Sequence, residues 1–144
     1  MILVDTNVIS EPWRPVPDPR VIAWIDAQAV ETLYLSAVTV AELRFGIAAM
    51  PAGKRRTILH DHLEQQALPL FAGRILPFDL DASNAYAILM VQARAAGKAI
   101  GNADGYIAAT AAAHGLTVAT RDTSPFAAAG LKTVNPWESR IVGR

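Results

Sequence analysis

A chain of 144 residues, 52% of them hydrophobic, is long enough to close one sizeable core and too short for two domains of ordinary size. Its 13 basic residues (Lys plus Arg) equal its 13 acidic ones (Asp plus Glu), so no net field draws in a polyanion and any nucleic-acid contact must rest on local basic patches. The absence of cysteine excludes a disulfide framework and a thiolate metal site; a divalent cation would have to be bound through oxygen or imidazole, and a reducing cytoplasm is the expected setting.

The apolar start Ile2-Leu3-Val4 reads as a buried strand cut short by Asp5. That charge comes before the hydrophobic core of a signal peptide could develop, so the mature chain is expected to begin at Met1. Pro12 to Pro17 holds three prolines in six residues and reads as a stiff surface loop. A helix follows from Pro19 to Ala29, with Asp18 as N-cap and Val21, Ile22 and Ile25 as its apolar stripe. Leu33 to Leu35 is the second strand. The next helix is expected near Thr39, because Thr39-Val40-Ala41-Glu42 matches a capping box, and Gly46 or the Met50-Pro51 step can end it.

Lys54 to Ala67 reads as a helix with Ile58, Leu59 and Leu63 on its apolar side, and Ile75 to Phe78 as a third strand. Ala82 to Ala96 is strongly helical up to Gly97, and a further helix from Ala103 to His114 has Asn102 as its natural N-cap and Gly115 as its stop. Leu116 to Ala119 and Lys132 to Val134 complete five β-rich runs. Their alternation with helices is the pattern of βαβ units around a parallel sheet, hence a three-layer α/β domain. The longest unbroken apolar stretch, the seven residues Ala85 to Val91, is far below the roughly 20 that span a bilayer, so no membrane partner is expected. No repeat, low-complexity tract or linker divides the chain.

In open α/β sheets ligands collect outside the carboxyl ends of the strands, and that rule sorts the acids. Asp5 ends the first strand, Glu42 lies early in the helix after the second, Asp122 follows the fourth, and Asp104 opens the helix that feeds the fourth. If the first, second and fourth strands are neighbours, at least three of these carboxylates crowd one edge, where their repulsion is costly unless a cation neutralises it. Carboxylates without softer donors suit Mg²⁺ or Mn²⁺, whose remaining positions hold water and phosphate oxygens, so phosphodiester hydrolysis is the natural reaction.

Each acid also has a bland reading: Glu42 as the partner in a capping box, Asp104 as a helix-dipole carboxylate, Asp122 as a turn former, whereas Asp5 has no capping partner obvious in sequence. Arg121, Arg44 and the trio Lys54-Arg55-Arg56 are candidates for gripping a phosphate backbone, the trio equally an ordinary solvated helix start. Trp13 and Phe45 are candidates for base stacking or for plain packing. His60 and His62, two apart on a helix, point to different sides and make a poor ligand pair, and His114 suits a helix C-terminus. No nucleophile elbow or Walker-type glycine loop is present.

Four ordered blocks, MILVDTNVIS, SAVTVAELRFG, ADGYIAATAAAHG and VATRDTSPF followed by VNPW, resemble the PIN domain, most closely the VapC or FitB type of bacterial toxin. The likeness runs from Met1 to about Trp137, leaving residues 138–144 as a C-terminal tail. It implies a five-stranded parallel sheet flanked by helices, a Mg²⁺- or Mn²⁺-dependent endoribonuclease acting on single-stranded RNA, a homodimer, and an antitoxin that covers the acidic cleft and joins the complex to operator DNA. By the same resemblance Asp5, Glu42, Asp104 and Asp122 are the catalytic and metal-binding acids, with Thr6 and Thr120 as polar neighbours and Asn7 as a further match. Many relatives read Thr-Arg-Asn at the fourth block with an aspartate just before the phenylalanine, where this chain has Asp122 and then Pro125-Phe126. Two other readings stay open: a non-catalytic module that binds RNA or protein and keeps its acids as caps, and an aspartate-nucleophile phosphatase, which wants a second acid where this chain has Asn7.

Overall fold

Three consecutive apolar residues can be buried together in a strand only if both faces of the sheet are covered, because successive side chains point to opposite sides. The computed structural model, which describes residues 1–138, bears this out at β1 (Ile2–Val4): Leu3 enters one hydrophobic core and Val4 the other. The first core gathers Leu3, Ile107, Ala108, Val118 and Phe126; the second gathers Val4, Val8, Val21, Leu35, Ala119 and Trp137. Burying each large aliphatic side chain of this kind is worth roughly 1.5–3 kcal/mol.

The remaining strands are β2 (Leu33–Ser36), β3 (Ile75–Leu76), β4 (Thr117–Ala119) and β5 (Thr133–Val134). All four pairings are parallel and the spatial order is β3-β2-β1-β4-β5. The registers Ile2 to Leu33 and Val4 to Ala119 set β1 between β2 and β4, so the first, second and fourth strands are neighbours, as the acid cluster requires.

Helices α1 (Thr6–Ser10), α2 (Pro19–Asp26), α3 (Ala37–Ala48), α4 (Lys54–Asp61), α5 (Leu68–Leu70), α6 (Leu80–Ala95), α7 (Asn102–His114) and α8 (Ser124–Ala128) make up the outer layers. α6, α7 and α8 supply the first core, and α1 and α2 pack on the opposite face. Asp18 caps α2 by accepting from the Arg20 N–H at 2.9 Å, with Pro19 in the first turn. Gly115, at φ +65°, closes α7 in the left-handed conformation that glycine adopts without penalty.

Several expected boundaries move, each for a physical reason. α3 starts at Ala37 because Ser36, not Thr39, caps it, accepting from the Val38 N–H at 3.0 Å. Glu42 is therefore no capping-box partner, and its carboxylate is available elsewhere. α7 starts at Asn102 itself, behind Gly101, with no side-chain cap. α6 starts at Leu80, where Asp79 accepts from the Ala82 N–H at 3.0 Å.

The helix expected through Ala67 leaves α geometry after Asp61 and runs as a π turn over His62–Ala67, ahead of Pro69, which has no N–H for the ladder. The proline-rich loop is not wholly irregular: Glu11–Trp13 form a 3-10 turn, and the buried Glu11 carboxylate accepts from the Asp18 N–H at 2.8 Å and from Arg14 at 3.3 Å, clipping the loop shut. Residues 139–144, most of the expected C-terminal tail, lie outside the described residues.

Candidate functional site

Asp5 stands where β1 leaves the sheet. Its N–H still donates to the Ala119 carbonyl at 2.9 Å, so the backbone remains in the ladder while the side chain turns out at the carboxyl edge. The carboxylate is 6% exposed and accepts two hydrogen bonds, from the Thr6 N–H at 2.8 Å and from the Thr120 hydroxyl at 2.9 Å. Asp5 thus caps α1, a five-residue helix too short to announce itself by periodicity. Burial pushes the Asp5 carboxyl up from 3.8 to about 6; the two hydrogen bonds resist that rise, and the negative charges of Asp104 and Glu42 add to it.

The other three acids arrive on separate elements. Glu42, exposed on α3, accepts from the Thr6 hydroxyl at 2.8 Å, and that hydroxyl also lies 3.4 Å from Thr39 Oγ1. Asp104, half-buried in the first turn of α7, has its carboxyl raised by burial and then by Glu42 and Asp122. Asp122, exposed beyond β4, accepts from the Ser124 N–H at 3.2 Å, so the turn-forming role also holds. Asp104 and Asp122 share a cleft of about 630 Å³ with Lys98, Gly101 and Ser124. The mutual repulsions link all four carboxylates at one edge of the sheet, which sequence separations of up to 117 residues, from Asp5 to Asp122, did not guarantee.

Among the described residues no three His, Asp or Glu side chains converge as a ready-made ligand set. The donors at the edge are carboxylate and hydroxyl oxygens. They fit a hard cation such as Mg²⁺, which is usually held by one or two carboxylates and keeps several waters, and they do not fit a metal that wants thiolate or imidazole.

Arg121 flanks this edge. Its N–H donates to Asn7 Oδ1 at 3.3 Å, its carbonyl accepts from Asn135 Nδ2 at 3.2 Å, and its guanidinium lies 5.2 Å from the centre of the Trp137 ring. Arg44 is different. Two residues from Glu42, and so turned by roughly 200° around α3, it is engaged by Glu64 through Nε at 3.1 Å and Nη2 at 2.7 Å.

In the basic trio, Arg55 donates to the Trp13 carbonyl and Arg56 to the Met50 carbonyl. Trp13 is stacked on His62 at 5.9 Å, while Phe45 is 76% exposed. His60 sits exposed beside Asp61, and His114 ends α7. Sequence reasoning missed Asn135, which braces the Arg121 turn and also accepts from the Trp137 N–H at 2.9 Å, and the place of Thr39 against Thr6. Both lie inside blocks that carried the family likeness, but neither residue type signals such a role alone.

Comparison with known proteins gives a consistent picture. The family model described as the PIN domain matches residues 2–131. The chain is 72% identical over 138 residues to the VapC ribonuclease Y4jK of Sinorhizobium fredii, covering 96% of this chain and 99% of that one. It is 59% identical over 137 residues to Toxin FitB of Neisseria gonorrhoeae, covering 95% and 99% respectively. Among solved structures, that of FitAB bound to an IR36 DNA fragment superimposes with a TM-score of 0.94 at 56% identity, covering 97% of this chain and 98% of that one.

Proposed function

The chain belongs to the PIN domain family, and from that premise we propose that it is the toxin of a toxin–antitoxin pair, a Mg²⁺- or Mn²⁺-dependent endoribonuclease that hydrolyses single-stranded RNA. The observation that carries this reading is the buried Asp5 carboxylate, fixed by two hydrogen bonds and facing the negative charges of Asp104 and Glu42. An arrangement that raises a carboxyl to about 6 is costly for the fold, and a divalent cation relieves that cost.

Asp5 and Asp104 would hold the cation directly, with Glu42 and Asp122 completing the acidic cluster. When bound, the cation supplies Lewis acidity: it activates water for attack on phosphorus and stabilises the departing oxygen. The chain's own residues set the geometry. Thr120 and the Thr6 N–H hold both Asp5 oxygens, and the Thr6 hydroxyl orients Glu42. Arg121, laid over Trp137 and anchored through Asn7 and Asn135, offers a cation beside the acids to grip a phosphate. Arg44 serves the backbone farther along α3, in competition with Glu64.

An uninhibited ribonuclease must be held off by something. An antitoxin that covers the acidic cleft would serve, and operator DNA would be bound through that partner; the structure of FitAB bound to an IR36 DNA fragment supports DNA binding by a complex of this kind. A homodimer is supported by the outer side of α6, where Leu80, Ile88 and Val91 stay exposed. The cytoplasm is the proposed compartment, in keeping with a chain without cysteine. No described helix is long and apolar enough to cross a membrane.

The test is incubation of the purified chain with single-stranded and duplex RNA in Mg²⁺, Mn²⁺ or EDTA. Cation-dependent cutting of the single strand is expected, and cutting that persists undiminished in EDTA would overturn the reading.

A further inference from the structure

We infer that Phe78, Tyr86 and Tyr106 form a stacking platform for the bases of single-stranded RNA beside the acidic edge; this rests on the nuclease reading above. Phe78 follows β3, and Tyr86 and Tyr106 lie in the second turns of α6 and α7. Parallel strands all end at the same edge, so Phe78, with Tyr86 and Tyr106 packed against it, lies at the end of the sheet at which Asp5 stands; Tyr106, two residues from Asp104, is turned by roughly 200° around α7 from that acid, toward α6. Tyr86 and Tyr106 are stacked with centroids 4.9 Å apart, and Phe78 sets its edge to Tyr106 at 5.1 Å.

Three observations separate this cluster from ordinary core. All three rings are only half-buried, and Phe78 and Tyr106 belong to neither main hydrophobic core, packing on one another and on Tyr86 instead. Neither tyrosine hydroxyl has a hydrogen-bond partner among the described residues, and neither is buried, so both rings reach solvent at their polar ends. Helix α7 also carries a glycine between Asp104 and Tyr106: a Cβ at Gly105 would lie 3.1 Å from the Tyr86 ring. Glycine inside a helix is less favourable than alanine, and here its missing Cβ leaves room for the Tyr86 ring and Met90 Sδ, both of which would otherwise be crowded at 3.1 Å.

The chemistry of the ligand follows from the charge. An edge crowded with carboxylates repels phosphates, and the chain as a whole offers no compensating positive field. Affinity for a single strand must then come substantially from its bases, which stack on aromatic rings without regard to sequence. A preformed ring cluster, unlike the isolated Phe45, loses little freedom when a base lands on it.

The experiment measures binding by fluorescence anisotropy in Mg²⁺, in the Asp5→Asn background, with a short labelled oligoribonucleotide and an abasic strand of the same length. Phe78→Leu and Tyr106→Leu should each weaken binding of the base-bearing strand about tenfold, within the range expected for one stacked base, and leave the abasic strand unaffected. Tyr106→Phe, which keeps the ring, should bind as the parent does. Melting temperatures establish that each variant is folded. Equal affinity of the leucine variants and the parent for the base-bearing strand overturns the platform while leaving the nuclease reading intact. Undiminished RNA cutting by the Asp5→Asn background itself overturns the assignment of the chemistry to Asp5, cutting by the parent that persists in EDTA overturns the metal-dependent nuclease reading, and in either case the ring dependence of binding still decides the platform.

Discussion

Thr120 Oγ1 donates a 2.9 Å hydrogen bond to Asp5 Oδ2 across 115 residues of sequence, between two side chains that are both buried. The bond joins the ends of β1 and β4, adjacent strands whose pairing brings Val4 opposite Ala119, and together with the Thr6 N–H it holds the Asp5 carboxylate still.

Replacing Thr120 by Val removes that donor at nearly constant volume and leaves a buried carboxylate oxygen without its partner. A loss of about 1–3 kcal/mol in unfolding free energy is expected at pH 8. Because the bond favours the ionised form, its removal raises the Asp5 carboxyl further, so the loss should shrink as the pH falls below about 6. Denaturant unfolding at the two pH values checks this, with Thr120→Ser expected to restore the parent's stability.

The raised Asp5 carboxyl makes the cation-free protein sensitive to pH. Between 3.8 and about 6 the folded state binds more protons at this site than the unfolded chain, so the site's contribution is fully present below 3.8 and is lost as the pH rises through about 6. The span corresponds to at most about 3 kcal/mol. In EDTA, the thermal midpoint of the parent should therefore fall relative to that of Asp5→Asn as the pH is raised from 5 to 8, and Mg²⁺ should remove the difference. A parent whose midpoint tracks the variant's across that range would contradict the assignment of the burden to Asp5.

The two arginines differ in what holds them. Arg121→Ala should weaken RNA binding evenly across sequences and reduce the dependence of log affinity on log salt by about one phosphate contact. Arg44→Ala should do much less, because its guanidinium is already committed to Glu64, and Glu64→Ala should strengthen binding by releasing it. Affinity measured over a salt series separates the two residues.

The sheet was largely legible because strands buried on both faces read as unbroken apolar runs: Ile2-Leu3-Val4 and Leu33-Tyr34-Leu35 stand out without any periodicity analysis. The acids were legible individually, but their meeting depends on the order β2-β1-β4, a property of the whole topology that spacing permits without requiring. Helix starts were harder to read. Ser36 and Thr39 are both competent caps, but Ser36 takes the cap while the Thr39 hydroxyl faces Thr6; Asn102 is a good cap residue placed inside the helix behind Gly101. The role of Asp5 as the cap of α1 was hidden by that helix's brevity. The three rings at positions 78, 86 and 106 carry no local motif, and they meet only through the packing of α6 on α7.

The most direct measurement is cleavage of single-stranded RNA in Mg²⁺ by the purified Asp5→Asn protein, alongside its circular dichroism spectrum. The substitution keeps the shape of the side chain and removes the negative charge that a cation would need. Abolished cutting with an unchanged spectrum is the predicted result; cutting at the parent's rate would show that the carboxylate at the end of β1 does not hold the chemistry.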